Sequence, residues 1–248
     1  MESRIKKLYI DEATLNDGTS VSDLIKALIF LNENDYGKVT IILDLVKWIK
    51  TRAIHNDSDL IPIPDIIEML DIYCIKYQFK LSRTIERKIE QSLRDAATKS
   101  ELRLSQIVRI GQLLSFGTEG STSFWEFYEE CIVNQIESLT DHQFLIVHQT
   151  LRDRKRRSLN TWETFEREVE KRIPHMESSY IIKFLTFYAE NRENRLWGAF
   201  CDRIMVLNDF SPEEVFQILQ SYHLGDRVII KIWSHLMKHY LINRSYIL

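Results

Sequence analysis

Apolar residues recur along this chain with the spacing of one helical face. Four tryptophans, at positions 125, 162, 197 and 233, follow one another at intervals of 35 to 37 residues. Apolar residues stand three and seven positions after each of them, which is the pattern of a helix that buries one side. The pattern predicts a repeated helix, here called the A helix, with the stripes Trp125/Tyr128/Ile132, Trp162/Phe165/Val169, Trp197/Phe200/Ile204 and Trp233/Leu236/Tyr240.

A second periodic segment, the B helix, precedes each A helix. Ser211-Pro-Glu-Glu214 offers it a hydroxyl cap, a proline at the first helical position and the glutamate of a capping box. Thr140 with Gln143, and Ser20 with Asp23, repeat this start signal. The predicted B helices contain residues 24–31, 66–73, 106–114, 144–151, 180–188 and 215–222.

The first half of the chain follows the same pattern less regularly. Its A stripes are Ile42/Leu45/Ile49 and Ile85/Ile89/Leu93, Trp48 falls outside the register, and the spacing stretches towards 41 residues. We assign the extra length to longer loops at 51–64 and 94–104. Residues 1–20 are predicted to cap the first repeat.

These patterns predict an all-α protein with a single domain, residues 1–248, in which residues 21–248 form the repeats. Seven glycines and four prolines are few for this length, which favours helices over turn-rich folds. Helical hairpins that cannot bury their apolar faces alone must stack. The expected architecture is an α-solenoid of about six stacked antiparallel hairpins, with Trp125, Trp162 and Trp197 packed between hairpins and Trp233 more exposed at the end.

Candidate chemistry is sparse, and we expect a non-catalytic protein without cofactor or metal. Gly37-Lys38 lacks the preceding glycine of a phosphate-binding loop. His235 and His239 have a metal-compatible spacing but lack the glutamate of the zinc-protease motif. The polar run at 55–59 lacks the spacing of a calcium loop. Three scattered cysteines indicate small core residues rather than disulfides.

One basic run is a candidate RNA- or partner-binding site. It comprises Arg152, Arg154, Lys155, Arg156 and Arg157, between a B helix and the next A helix, in a chain of net charge −3. Such a run is either a solvated loop or a concentrated positive potential that contacts phosphates. An acidic protein is the alternative partner. The sequence places no aromatic residue beside the run, which argues against base stacking.

The sequence L-x-x-Y ends three B helices, at Leu70–Tyr73, Leu185–Tyr188 and Leu219–Tyr222. With the aromatic A helices, this pattern resembles the octotricopeptide, heptatricopeptide and FAST-kinase-like repeats of organellar RNA-associated proteins. The resemblance implies a mitochondrial location and membership of a large multi-subunit assembly that contains RNA and other protein subunits. We expect no membrane-spanning segment, since the longest apolar runs are too short to span a bilayer.

Three hypotheses for function follow. The first is a subunit of a mitochondrial ribonucleoprotein, a ribosomal or ribosome-associated protein that touches ribosomal RNA through the basic run. The second is a protein–protein scaffold or accessory subunit of a mitochondrial respiratory or ATP synthase complex. The third, ranked last, is a free RNA-processing factor or enzyme. The N-terminus is too acidic for a typical mitochondrial presequence.

Overall fold

The computed structural model describes residues 19–33, 39–55, 60–117, 120–154, 158–189, 196–207, 210–224 and 230–244. This part of the chain is all-helical and contains no strand. Its twelve helices are α1 (Val21–Glu33), α2 (Val39–His55), α3 (Ile63–Leu70), α4 (Arg83–Thr98), α5 (Leu104–Gly117), α6 (Thr122–Val133), α7 (Asp141–Asp153), α8 (Leu159–Arg172), α9 (Ser178–Tyr188), α10 (Trp197–Val206), α11 (Pro212–Leu224) and α12 (Ile230–Arg244).

Three short elements supplement these helices. A π-helical segment, Asp71–Lys76, continues α3. Single 3₁₀ turns, Ile136–Ser138 and Ile173–His175, precede α7 and α9. The odd-numbered helices carry the B pattern and the even-numbered helices carry the A pattern, so the predicted order of helices is confirmed.

The chain divides into two compact units, Met1–Ile132 and Val133–Leu248. In the first unit, α1 contacts α3, α3 contacts α5, and α2 contacts α4. In the second unit, α7 contacts α9, α9 contacts α11, and α10 contacts α12. Within each unit, therefore, most helices pack against the helix two positions further along the chain, as neighbouring repeats do.

The predicted A stripes form much of the core. Every described member of the six stripes is buried except Trp162 and Trp233. Trp233 is 49% exposed, as expected for the last stripe. Trp162 is only half-buried, so it is less enclosed than Trp125 and Trp197, for which the sequence predicts the same packing. The reason is its position: its ring lies edge-on to His148 of α7 while part of it remains at the surface.

The predicted capping boxes are present at the starts of α1, α7 and α11. The Gln143 amide N–H donates to Thr140 Oγ1 at 3.2 Å, and Gln143 Oε1 accepts from the Thr140 amide at 3.0 Å. Ser211 and Glu214 exchange the same pair of bonds at 3.2 and 2.8 Å. Each box satisfies two amide groups that a helix start leaves without an intrahelical partner.

The two predicted long loops are helical in part, and the non-helical residues that the structure describes in them are 60–62 and 99–103. Helix α2 continues through residues 51–55 and α4 continues to Thr98, because Ala53 and Ala96 extend their buried stripes by a further turn. The linker before α3 is also packed: Ile61 is buried, and its amide donates to Ser92 Oγ of α4 at 2.9 Å. The extra length of the early repeats therefore lies mainly in longer A helices. The proposed N-terminal cap falls largely outside the described residues.

Helices α5 and α6 approach closely at Gly111. A Cβ atom at this position would stand 2.2 Å from Cε2 of Tyr128, whose side chain is fully buried. Only a residue without a side chain leaves room for this ring. Gly111 and Tyr128 therefore bring the two helices of the third pair together.

None of the described helices is long and apolar enough to cross a membrane. Of the three cysteines, Cys74 is buried, whereas Cys131 and Cys201 are only half-buried. Burial raises the pKa of both half-buried thiols, with neighbouring carboxylates as a further cause. These thiols therefore have little thiolate character.

Candidate RNA and partner interface

The basic run begins at the end of α7. Arg152 lies in the last helical turn, and the Arg154 amide donates to the Thr150 carbonyl at 3.2 Å. After the run, Ser158 Oγ accepts from the Thr161 amide and caps α8. Lys155, Arg156 and Arg157 lie outside the described residues. The run is thus anchored by a helix end on one side and a helix start on the other.

Arg152 rests on an aromatic ring from the next helix pair. Its guanidinium carbon lies 4.3 Å from the centroid of Phe187 in α9, and Nη2 lies 3.3 Å from Asp153 Oδ1. The expectation that no aromatic residue stands beside the basic run is therefore wrong, because Phe187 is distant in sequence and is brought there by packing. A guanidinium stacked by its face keeps its N–H donors at its edge, where an anionic oxygen can bind.

His148 lies behind this surface in an aromatic cluster. Its ring centroid is 4.9–6.2 Å from those of Trp162, Phe165, Phe184, Phe187 and Tyr188, and its Nε2 is 3.2 Å from Tyr188 Oη. Burial, and secondarily the charge of Arg152, lowers the pKa of His148 to about 3. The imidazole is therefore neutral at physiological pH and contributes packing rather than positive charge.

Of the other candidate side chains, only that of His235 lies within the described residues. His235 Nε2 lies 3.2 Å from the Leu207 carbonyl oxygen, and the side chain of His239 falls outside the described residues. Gly37, Lys38 and positions 56–59 are also outside them. Among the residues that the structure places, no group of three His, Cys, Asp or Glu side chains could hold a metal ion. The absence of catalysis and of a cofactor stays a prediction.

A second surface lies on the last helix pair. Phe216 of α11 is 67% exposed, and Ile230, Trp233 and Met237 of α12 are 75%, 49% and 38% exposed. Only Trp233 is anticipated by the sequence pattern. Phe216 escapes prediction because its apolar character in VFQILQSY is that of a core residue.

Comparison with models of protein families finds none that matches this chain. Comparison with curated proteins likewise finds no match.

Proposed function

We propose that this chain is a non-catalytic helical-repeat subunit of a mitochondrial ribonucleoprotein, a ribosomal or ribosome-associated protein that contacts RNA through the basic run. We further propose that its six helix pairs stack as the antiparallel hairpins of an α-solenoid. The contact of Arg152 with Phe187 carries the RNA part, because it fixes the first cation of the run beside a helix end. The mitochondrial location rests on the sequence resemblance alone.

Repeated helix pairs support a role in binding rather than in catalysis. Stacked pairs offer extended surfaces, and connections between helices can reach a partner without disturbing the stack. Arginine suits phosphate recognition because its forked donors can bind two oxygens at once. Such contacts would position an RNA backbone without reading its sequence.

A scaffold subunit of a mitochondrial respiratory or ATP synthase complex is the second candidate. The exposed apolar residues of α11 and α12 favour it, since large apolar patches on a surface mark protein–protein contacts. The net charge of −3 also fits a protein partner.

Sedimentation of the native protein separates these two functions. A ribonucleoprotein subunit should sediment with ribosomal RNA and shift to lighter fractions after ribonuclease treatment. A scaffold subunit should remain in a large particle that ribonuclease does not change. Sedimentation as a free chain before any treatment would contradict both proposals.

A further inference from the structure

The outer face of the last helix pair carries residues that the preceding pair buries. Trp197 of α10 and Trp233 of α12 occupy the same repeat position. Trp197 is 5% exposed, because Tyr222 of the following helix, α11, covers it with ring centroids 5.0 Å apart. The Tyr222 hydroxyl also donates to the Trp197 carbonyl at 3.4 Å. Trp233 is 49% exposed, and no described helix covers it as Tyr222 covers Trp197.

The odd-numbered helices show the same difference. When α9 and α11 are aligned on their closing tyrosines, Val215 corresponds to Ile181 and Phe216 to Ile182. Val215 and Ile181 are both buried, so the two helices present the same inner side to the core. Ile182 is 3% exposed, whereas Phe216 is 67% exposed. At these positions the pair of α11 and α12 therefore exposes side chains that the pair of α9 and α10 buries.

The uncovered residues have the spacing of a helix-binding surface. Ile230, Trp233 and Met237 lie at positions i, i+3 and i+7 of α12, and exposed Lys231 and Lys238 flank them. On α11, an open depression of about 460 Å³ adjoins Phe216, and Pro212, Glu213, Gln217 and Gln220 form the rest of its wall. An apolar stripe beside lysines is complementary to an amphipathic helix that carries carboxylates along its edges.

We propose that Phe216, Ile230, Trp233 and Met237, here called the terminal face, bind an amphipathic helix of a different polypeptide. That helix places an aromatic side chain on Trp233, as Tyr222 is placed on Trp197, and acidic residues near Lys231 and Lys238. The proposal rests on the chain being a subunit of an assembly, and it holds whether or not the assembly contains RNA.

Two other occupants fit the terminal face less well. Single-stranded RNA could stack on Trp233 and Phe216, but Ile230 and Met237, which make up the other half of the terminal face, offer no ring for further bases. A second copy stacking through its first helix pair would need exposed apolar residues there. In the described part of α1 and α2, Leu43 is the only large apolar side chain that is exposed, and the apolar side of α1 already lies in the core.

Site-specific photo-crosslinking in the native assembly identifies the occupant. The probe is p-benzoylphenylalanine at position 233 of the full chain, and the matched control has it at Phe116, which is 62% exposed on α5. We expect position 233 to crosslink to one helical segment of another polypeptide, with apolar residues at i, i+3 or i+4 and flanking carboxylates. A crosslink to RNA, to a second copy, or no yield above the control would overturn the proposal.

A binding measurement with purified chain provides the second test. The purified chain is added to the native assembly from which the endogenous chain has been removed. Phe216→Ser combined with Trp233→Ser should raise the dissociation constant for this incorporation about thirty-fold or more, as loss of a central aromatic anchor does. Its melting temperature should match that of wild type, because both side chains are exposed. Leu43→Ser is the matched control and should incorporate normally. If the double variant incorporates as well as wild type, the proposal that the terminal face binds a partner helix is refuted.

Failure of the proposed function is distinguishable from failure of this site. If ribonuclease leaves the particle and the position-233 crosslink intact, the RNA role is refuted and the terminal face stands. If the particle depends on RNA but position 233 crosslinks to no helix, the RNA role stands and the helix-binding role of the terminal face is refuted. A chain found in no particle overturns both.

Discussion

At the scale of single residues, the burial of His148 has a consequence for acid stability. The ring lies among five aromatic side chains, and its pKa in the folded protein is about 3, below the ordinary histidine value of 6.5. Below pH 6.5 the unfolded chain binds a proton at this position that the folded chain does not bind. The stabilisation is thus complete above pH 6.5 and is lost as the pH falls towards 3.

We therefore expect the free energy of unfolding to fall through His148 by about 1.4 kcal/mol per pH unit in this window. Urea unfolding at a series of pH values measures this slope. His148→Phe should remove the contribution, whereas His142→Gln, which changes an exposed histidine of the same helix, should retain it. Equal slopes for wild type and His148→Phe would show that the buried ring is not the group responsible.

Gly111 provides a second test at this scale. Gly111→Ala places a methyl group against the buried ring of Tyr128, so we expect a loss of about 1–3 kcal/mol in the free energy of unfolding. Gly198→Ala is the matched control, because a Cβ at that helical position meets nothing within 4 Å. The control should gain about 0.5–1 kcal/mol from helix propensity. A gain for Gly111→Ala would mean that α5 and α6 do not approach each other closely at this residue.

At the scale of elements, the sequence pattern predicts what local periodicity controls and misses what distant packing controls. Stripes such as Ile85/Ile89/Leu93 identify the A helices and their buried faces. The loop predicted from residue 94 begins too early, because the repeat spacing does not reveal that Ala96 continues the buried stripe of α4. The Phe187 contact with Arg152 could not be predicted, since it joins residues of different helix pairs.

Arg172 makes contacts between two helices that the periodic sequence pattern does not predict. It closes α8, and its guanidinium donates to the carbonyls of Leu139 and Ile136 at 2.7 and 3.0 Å, just before α7. It also pairs with Glu168 at 2.8 Å and Asp141 at 3.1 Å, with only 13% of its side chain exposed. One side chain thus joins the end of α8 to the start of α7.

Arg172→Lys should lower the free energy of unfolding by about 1.5–3 kcal/mol, because an ammonium cannot reach these acceptors with a fork of donors. Chemical denaturation measures the loss. Lys99→Gln, which removes a surface pair with Asp95 at the end of α4, is the control and should leave the melting temperature unchanged. If Arg172→Lys leaves the free energy of unfolding unchanged, the several hydrogen bonds of the guanidinium do not stabilise the packing of α8 against the start of α7.

At the scale of the whole molecule, the distribution of charge matters more than its sum. The chain has a net charge of −3, yet five cations occupy positions 152–157. Elsewhere an exposed cation such as Lys171 pairs with a carboxylate, that of Glu137, whereas within the run Asp153 is the one carboxylate among five cations and it pairs with Arg152. A local concentration of positive charge attracts phosphates even on an acidic protein, provided that it is not neutralised by neighbours.

The salt dependence of RNA binding tests whether the basic run has this role. Replacing Arg154, Lys155, Arg156 and Arg157 by glutamine should reduce the slope of log K against log salt by about 0.7 for each single-stranded phosphate that the run no longer neutralises. Because the run lies between two helices, the circular dichroism spectrum should stay that of wild type. The matched control removes four exposed cations from the first unit, Lys47, Lys50, Arg83 and Arg87, and should keep the wild-type slope. If both quadruple variants bind ribosomal RNA with the wild-type slope, the run makes no phosphate contact, and the scaffold function becomes the better account of this chain.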